Sequence, residues 1–103
     1  MKLLTKKIEQ KLLNTKINDE DNIFEQEIIV KYFHPMGRYT FYALEGQKYG
    51  DDIILFGYCV SPLQPEFDEF GYQSLNELQQ IPLMERDLNF EKKCLKDVGI
   101  TTY

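Results

Sequence analysis

Three charged residues in succession, Glu85-Arg86-Asp87, are the first place in this sequence where chemistry could occur. Adjacent side chains of an extended segment point to opposite faces, so Glu85 and Asp87 would share one face and Arg86 would point to the other. Two carboxylates on one face can bind a divalent cation or act as general acid and base. The alternative is a structural clasp, in which the planar guanidinium of Arg86 pairs with a carboxylate or caps backbone carbonyls. We favour the clasp, and a metal-dependent enzyme that uses the two carboxylates is the second hypothesis.

The other polar residues form no pattern that identifies a catalytic or metal site. The single histidine, His34, lies directly before Pro35, where a turn residue is more common than a catalytic base. The glycines match neither fingerprint of a phosphate-binding loop. Two acidic runs lack the spacing of an EF-hand calcium loop, namely Asp51 with Asp52, and Glu66 with Asp68 and Glu69. We therefore expect no cofactor and assign no metal ligands.

Charge is distributed unevenly along the 103 residues, whose net charge is −5. Residues 1–18 carry five lysines and one glutamate, a local charge of +4. The segment from Glu45 to Glu91 carries ten carboxylates against one lysine and one arginine, a local charge of −8. Because non-specific binding to nucleic acid requires a basic surface, we expect the protein not to bind nucleic acid directly.

The chain has the features of a reduced, cytoplasmic protein. Its two cysteines, Cys59 and Cys94, are too few for a disulfide scaffold and form no CxxC pair, so we expect both to be reduced and buried. The start, MKLLTKKIEQKLL, has lysines and a glutamate where a signal peptide would have an apolar core. No apolar run reaches the length of a membrane span, and we expect no membrane contact.

Apolar spacing and capping residues predict the helices. Leucine or isoleucine occurs at every fourth position near the start of the chain. This spacing predicts an amphipathic helix over residues 5–13. Ser74 and Glu77 have the spacing of a capping box, which predicts a helix that begins there and ends before Pro82. A short final helix is expected to end at Gly99. The side chains predicted to be buried on the last two helices are Leu75, Leu78, Ile81, Leu95 and Val98.

Strands are predicted over residues 27–33, 38–45 and 53–60, where β-branched and aromatic residues are frequent. The turn HPMG joins the first two strands into an antiparallel hairpin. Residues 61–73 contain two prolines and are predicted as a long loop, whereas residues 83–90 are predicted as an extended segment or a fourth short strand. The fold class is therefore α+β: one domain over residues 1–103, with a small antiparallel sheet of three to four strands, an N-terminal helix and one or two C-terminal helices.

Five stretches, distributed from the start of the chain to residue 91, occur in the same order as in a known family of small bacterial proteins, so the resemblance extends over nearly the whole chain. The stretches are MKLLTKKIEQKLL, VKYFHPMGRYTFYALEG, FGY, EFGYQSLNEL and MERDLNFE. The most specific pieces are Phe70-Gly71-Tyr72 with the following Ser74-Leu75 and Glu77-Leu78, and Glu85-Arg86-Asp87 with Phe90. On these residues the chain resembles domain of unknown function 2958.

The resemblance implies a cytoplasmic bacterial setting, often on plasmids, phages or other mobile elements. It implies no catalytic residues, because the family has no established activity. In the family the return strand of the hairpin is rich in tryptophan. Here the corresponding residues are Tyr39-Thr40-Phe41-Tyr42, which argues against a tryptophan-specific ligand platform.

Taken together, the residues favour a non-enzymatic interaction or accessory protein over an enzyme, and the resemblance implies that it belongs to a mobile element. The chain has an acidic segment and contains seven tyrosines and seven phenylalanines in all. This composition suits a protein-binding surface. The expected partner is another protein, and a homo-oligomer is compatible with the sequence. The candidate binding residues are Arg86, Phe70, Tyr72, Tyr39 and Tyr42, and the candidate catalytic residues of the alternative are Glu85 and Asp87.

Overall fold

One antiparallel sheet of five strands organises the part of the chain that the computed structural model describes, residues 2–17 and 22–103. The spatial order of the strands is β4-β3-β2-β1-β5, so that β4 and β5 are the two edges. The strands are β1 Val30–Phe33, β2 Thr40–Tyr49, β3 Asp52–Val60, β4 Glu69–Ser74 and β5 Glu85–Arg86. The predicted α+β class is confirmed, but the described sheet has five strands instead of three to four.

Two α-helices pack on one face of the sheet, α1 Lys6–Asn14 against β2 and α2 Leu75–Gln80 against β3. Both begin where the sequence predicts, because a hydroxyl side chain satisfies an otherwise unpaired backbone N–H of the first turn. The Thr5 hydroxyl accepts from the backbone N–H of Ile8 at 3.2 Å, and the Ser74 hydroxyl accepts from that of Glu77 at 3.2 Å.

The sheet separates two hydrophobic clusters. The helix-side core contains fully buried residues of both helices and of the central strands, among them Leu12, Leu78, Tyr32, Phe41 and Leu55. The opposite core lies beneath the segments around residues 22–29 and 88–103, and its buried members are Ile28, Leu44, Tyr58 and Leu95. Among the described residues no helix is long and apolar enough to cross a membrane.

Strand β2 contains a bulge at Leu44. Ala43 pairs with Gly57 and Glu45 pairs with Phe56, so that Leu44 is an extra residue in the ladder. Ala43 belongs to the helix-side core and Leu44 to the opposite core, and both are completely buried. Alternation along the strand puts these two neighbours on opposite faces, and the bulge adds one residue without changing the pairing on either side of it.

Several sequence-based predictions need correction. Residues 69–73 of the predicted loop belong to strand β4, because Pro62 and Pro65 lie before the segment and leave it free to pair with β3. The strand predicted over residues 38–45 continues to Tyr49, because its pairing with β3 extends to the turn at Gly50. The strand predicted from residue 27 begins at Val30.

Burial was overestimated for four side chains, one of which is Val98, which is only partly buried. Ile81 is 41% exposed because α2 ends at Gln80 and the chain turns outward. Cys59 and Cys94 are both free, as expected, but each is half-buried. The final helix is a short 3-10 helix, Leu95–Val98, which ends at Gly99 with a left-handed φ of 89°.

Candidate functional site

The strand β4 is an open edge of the sheet. It pairs regularly with β3 from Glu69 to Ser74, and within the described part of the chain no strand lies on its outer side. An edge strand presents unpaired backbone N–H and C=O groups, and natural proteins usually protect it with lysine, proline, a bulge or extreme shortness. The sequence of β4, EFGYQS, contains none of these and only one charged residue.

The same strand carries an aromatic cluster centred on Phe70. Pairing of Tyr58 with Phe70 and of Phe56 with Tyr72 places all four rings on one face of the sheet. The ring centroids that lie within 6.2 Å of the Phe70 ring belong to Tyr58 at 5.1 Å, Tyr103 at 5.4 Å, Phe24 at 5.8 Å and Phe56 at 6.2 Å. We call Phe56, Phe70 and Tyr72 the aromatic surface.

Tyr72 is the exposed member of the aromatic surface. Its side chain is 75% exposed, although its ring lies 5.1 Å from the ring of Phe56. A ring held against a neighbour loses little further freedom on binding, and tyrosine is among the residues that most often anchor protein interfaces. Charged groups lie beside it, because Lys16 and Glu45 line the same small depression as Phe56 and Tyr72. This arrangement resembles the apolar centre and polar rim of an interface.

An ion pair fixes the beginning of β4. The Arg38 guanidinium donates to both carboxylate oxygens of Asp68, at 3.1 and 3.3 Å, and also to the Ser61 carbonyl. Asp68 accepts in addition from the backbone N–H of Ser61 at 2.7 Å. The hydrogen bond from Arg38 is the largest of the effects that lower the pKa of Asp68. Asp68, which the sequence placed in a possible cation-binding run, thus has a structural role.

A second carboxylate fixes the end of β4. Asp52 accepts from the Ser74 hydroxyl, from the backbone N–H of Asn76 at 3.0 Å and from that of Ile53 at 2.7 Å. The hydrogen bond from Ser74 is the largest of the effects that lower the pKa of Asp52.

Among residues 2–17 and 22–103 there is no group of three or more histidine, cysteine, aspartate or glutamate side chains suited to a metal ion.

Glu85-Arg86-Asp87 lies at the opposite edge of the sheet. Glu85 pairs with Phe33 and Arg86 with Tyr32, so that their side chains lie on different faces. The Arg86 Nε atom donates to the backbone carbonyl of Lys2 at 3.2 Å. Beside it, the Tyr32 hydroxyl donates to the carbonyl of Leu3 at 2.8 Å. Two side chains, one from the edge strand β5 and one from its neighbour β1, therefore hold the segment that precedes α1.

Asp87 contacts the neighbouring strand through both backbone and side chain. Its backbone N–H donates to the Lys31 carbonyl at 3.0 Å, and its Oδ2 atom lies 3.6 Å from the Lys31 ammonium. Its Oδ1 atom accepts from the backbone N–H of Asn89 at 3.0 Å. These contacts are those of a residue that secures a strand and the turn after it, and whether the motif has a further role stays a prediction.

His34 joins two turns. Its Nδ1 atom accepts from the backbone N–H of Met36 at 3.2 Å, and its Nε2 atom lies 3.1 Å from the Pro82 carbonyl. A neutral ring with its proton on Nε2 satisfies both contacts. The geometry agrees with a turn residue.

The remaining candidate binding residues are separated from the aromatic surface. Tyr39 packs against the helix-side core, donates to the Gln73 amide oxygen at 3.3 Å, and has a pKa raised by burial. Tyr42 lies on the same face as Phe70, but its ring neighbours Phe90 at 6.3 Å. Of the five candidates, the structure thus brings together only Phe70 and Tyr72.

Sequence reasoning missed Phe56 and the ring contacts of Phe24 and Tyr103. The signal for Phe56 is present, because it alternates with Ile54 and Tyr58 along one face of a strand. It becomes informative only when residues 69–74 are recognised as the paired strand. Contacts of Phe24 and Tyr103 join distant parts of the chain and have no local signal.

A family model described as a protein of unknown function (DUF2958) matches residues 3–98. No curated protein and no solved structure gives a match. The match includes all five strands, both α-helices and the two edges of the sheet. The chain therefore belongs to the domain of unknown function 2958 family.

Proposed function

We propose that the protein is a non-enzymatic interaction module that binds another polypeptide chain through the open edge β4 and the aromatic surface. The observation that carries the proposal is Tyr72, which is 75% exposed on an unprotected edge strand and lies against Phe56. Its setting, on the basis of the family resemblance, is an accessory role in the cytoplasm of a bacterium that carries mobile elements.

The edge and the aromatic surface support the proposal in complementary ways. On the outer side of β4, where the described part of the chain places no strand, backbone groups can pair with an extended segment, which is a recurrent mode of protein recognition. The side chains of Phe70 and Tyr72 point to one face of that strand and can select the segment by its side chains. Backbone pairing supplies affinity, and the rings supply specificity.

The ends of β4 are held by contacts that leave its middle free. Asp68 is bound by Arg38 at one end, and Ser74 is bound by Asp52 at the other. A strand that is already held straight loses less conformational entropy when a partner pairs with it. The edge is therefore preorganised for binding.

A matched pair of substitutions tests the proposal. Tyr72→Thr and Tyr49→Thr remove side chains that are each 75% exposed, but Tyr49 lies at the far end of β2 and outside the aromatic surface. Threonine retains the preference for a strand. Tagged parent and variants are used to capture partners from the native host, with an untagged copy of the chain co-expressed, and the captured chains are identified by mass spectrometry.

We expect the parent and Tyr49→Thr to recover one polypeptide that Tyr72→Thr does not recover. The same difference in binding should be seen with the purified components. Equal thermal melting of the two variants shows that folding is not the cause. Recovery of the same polypeptides by all three proteins would overturn the proposal.

A further inference from the structure

We infer that the polypeptide bound by β4 is a second copy of this chain, paired antiparallel about a two-fold axis at Gly71. The inference rests on the proposed function and names its partner. Pairing of the two β4 strands would join the two sheets into one continuous sheet.

The first argument is that β4 is complementary to itself. With Gly71 opposite Gly71 of the second copy, Phe70 lies opposite Tyr72, and Glu69 lies opposite Gln73. Aromatic pairs directly across an antiparallel ladder are favourable, and an amide can donate to a carboxylate. Each of these pairs occurs twice because of the symmetry.

The second argument comes from Gly71 itself. A Cβ atom built at Gly71 meets no atom within 4 Å, and the backbone there is not in the left-handed region. The fold of one chain therefore does not require glycine at this position, although glycine weakens a strand. A glycine inside a strand often marks the close approach of another backbone, and an axis at Gly71 places one there.

The third argument concerns charge. Glu69 is the only charged residue of β4, and the pairing places it two residues from the axis. The two Glu69 residues are then separated by four residue steps, or about 13 Å along the strands. This separation exceeds the screening length of about 8 Å at physiological salt. The net charge of −5 on each copy still opposes association, so we expect the dimer to become tighter as salt is added.

Charge substitutions at Gln73 test the pairing. Gln73→Glu places two carboxylates opposite each other at both symmetric positions, and Gln73→Lys creates an ion pair at both. Analytical ultracentrifugation over a concentration series should give a reversible dimer for the parent. We expect its dissociation constant to be about 2- to 30-fold higher for Gln73→Glu and lower by a similar factor for Gln73→Lys.

Matched controls separate local pairing from net charge. Gln10→Glu and Gln10→Lys change the net charge equally at an exposed position of α1, away from β4, and the two should differ far less in dimer affinity. A parent that remains monomeric at every concentration, or Gln73 variants that differ no more than the Gln10 variants, would overturn the inference.

Disulfide trapping gives a second measurement that does not depend on affinity. In a Cys59→Ser, Cys94→Ser background, Gly71→Cys brings two thiols together at the axis, where Cα atoms opposite each other in a ladder are about 4.5–5.5 Å apart. Oxidation should cross-link Gly71→Cys rapidly and Tyr49→Cys slowly in the same background. Equal rates would overturn the inference.

The outcomes also separate this inference from the proposed function. A monomeric chain that binds a different polypeptide in a manner sensitive to Tyr72→Thr overturns the dimer and retains the interaction module. A monomeric chain whose binding is insensitive to Tyr72→Thr overturns both.

Discussion

The two edges of the sheet are built in opposite ways. The edge strand β5 has two residues, both of them charged, and Arg86 and the adjacent Asp87 bind neighbouring backbone and side-chain groups. The edge strand β4 has six residues, one charge, a central glycine and an exposed tyrosine. Shortness and charge are the means by which proteins protect an edge from other chains. We therefore interpret the charged motif that suggested chemistry as protection and attachment, and the proposed recognition site is the opposite edge.

The largest expected effect is a difference in the free energy of unfolding between substitutions at two glycines, Gly57 in β3 and Gly71 in β4, which pair with each other. A Cβ atom at Gly57 would lie 1.9 Å from the carbonyl oxygen of Tyr42 in the adjacent strand, whereas one at Gly71 meets nothing within 4 Å. We expect Gly57→Ala to lower the free energy of unfolding by about 3 kcal/mol or more, because the backbone must move. Gly71→Ala should cause no loss and a gain of up to about 1 kcal/mol. Denaturation at a concentration where the chain is monomeric measures both, and a loss at Gly71 would show that the monomer requires this glycine.

The next effect tests the protected edge. Arg86→Ala removes the hydrogen bond to the Lys2 carbonyl, and we expect a loss of about 1–3 kcal/mol, typical of a hydrogen bond made by a charged group. Arg86→Lys, which retains the charge without the guanidinium geometry, should recover only part of it. Thermal and chemical denaturation provide the measurement. If Arg86→Ala is nearly neutral while Glu85→Ala and Asp87→Ala stabilise the fold, the carboxylate enzyme becomes the better hypothesis.

A third prediction concerns acid and the beginning of β4. Arg38 holds the pKa of Asp68 below its ordinary value in the folded chain. A group with a lowered pKa contributes stability above its unfolded pKa of about 3.9 and loses it as the pH falls through the lower, folded value. The melting temperature of Arg38→Ala should therefore lie below that of the parent at neutral pH, and the difference should shrink below about pH 4. A difference that is constant from neutral to acidic pH would contradict the role of this ion pair.

The smallest effect on stability is expected at the open edge. Tyr72→Thr removes an exposed ring and should change the free energy of unfolding by less than about 0.5 kcal/mol. The same substitution should abolish binding at β4, so at Tyr72 we expect recognition to be lost while stability is retained. Denaturation of Tyr72→Thr beside Tyr49→Thr provides the comparison. A loss of several kcal/mol at Tyr72 alone would show that the aromatic surface belongs to the folded core.

Local signals predicted local features well. The cap at Ser74 depends on residues within one helical turn and was predicted, whereas the equally local cap at Thr5 was not. Alternation predicted opposite faces for Glu85 and Arg86, which the strand pairing agrees with. One partner of Arg86, the carbonyl of Lys2, is 84 positions away along the chain and has no signature in the sequence around either residue.

The open edge was missed for a physical reason. Residues 61–68 contain prolines and acidic residues that mark a loop, and β4 follows without a further break. An edge strand is stabilised by its one neighbour, so its existence depends on pairing with β3 more than on its own propensity. Gly57 and Gly71 also look equivalent in the sequence, and only the backbone of Tyr42 distinguishes them.

The bulge at Leu44 determines how the long hairpin can tolerate changes in length. Side chains alternate between the two faces of a strand, so a one-residue deletion in a regular strand reverses the faces of all residues beyond it. At the bulge one residue is already unpaired, since Ala43 pairs with Gly57 and Glu45 with Phe56. A deletion of Leu44 would leave both of these pairings in place and would remove only its side chain from the opposite core. In related sequences, we therefore expect single-residue gaps in this hairpin to fall at the position of Leu44.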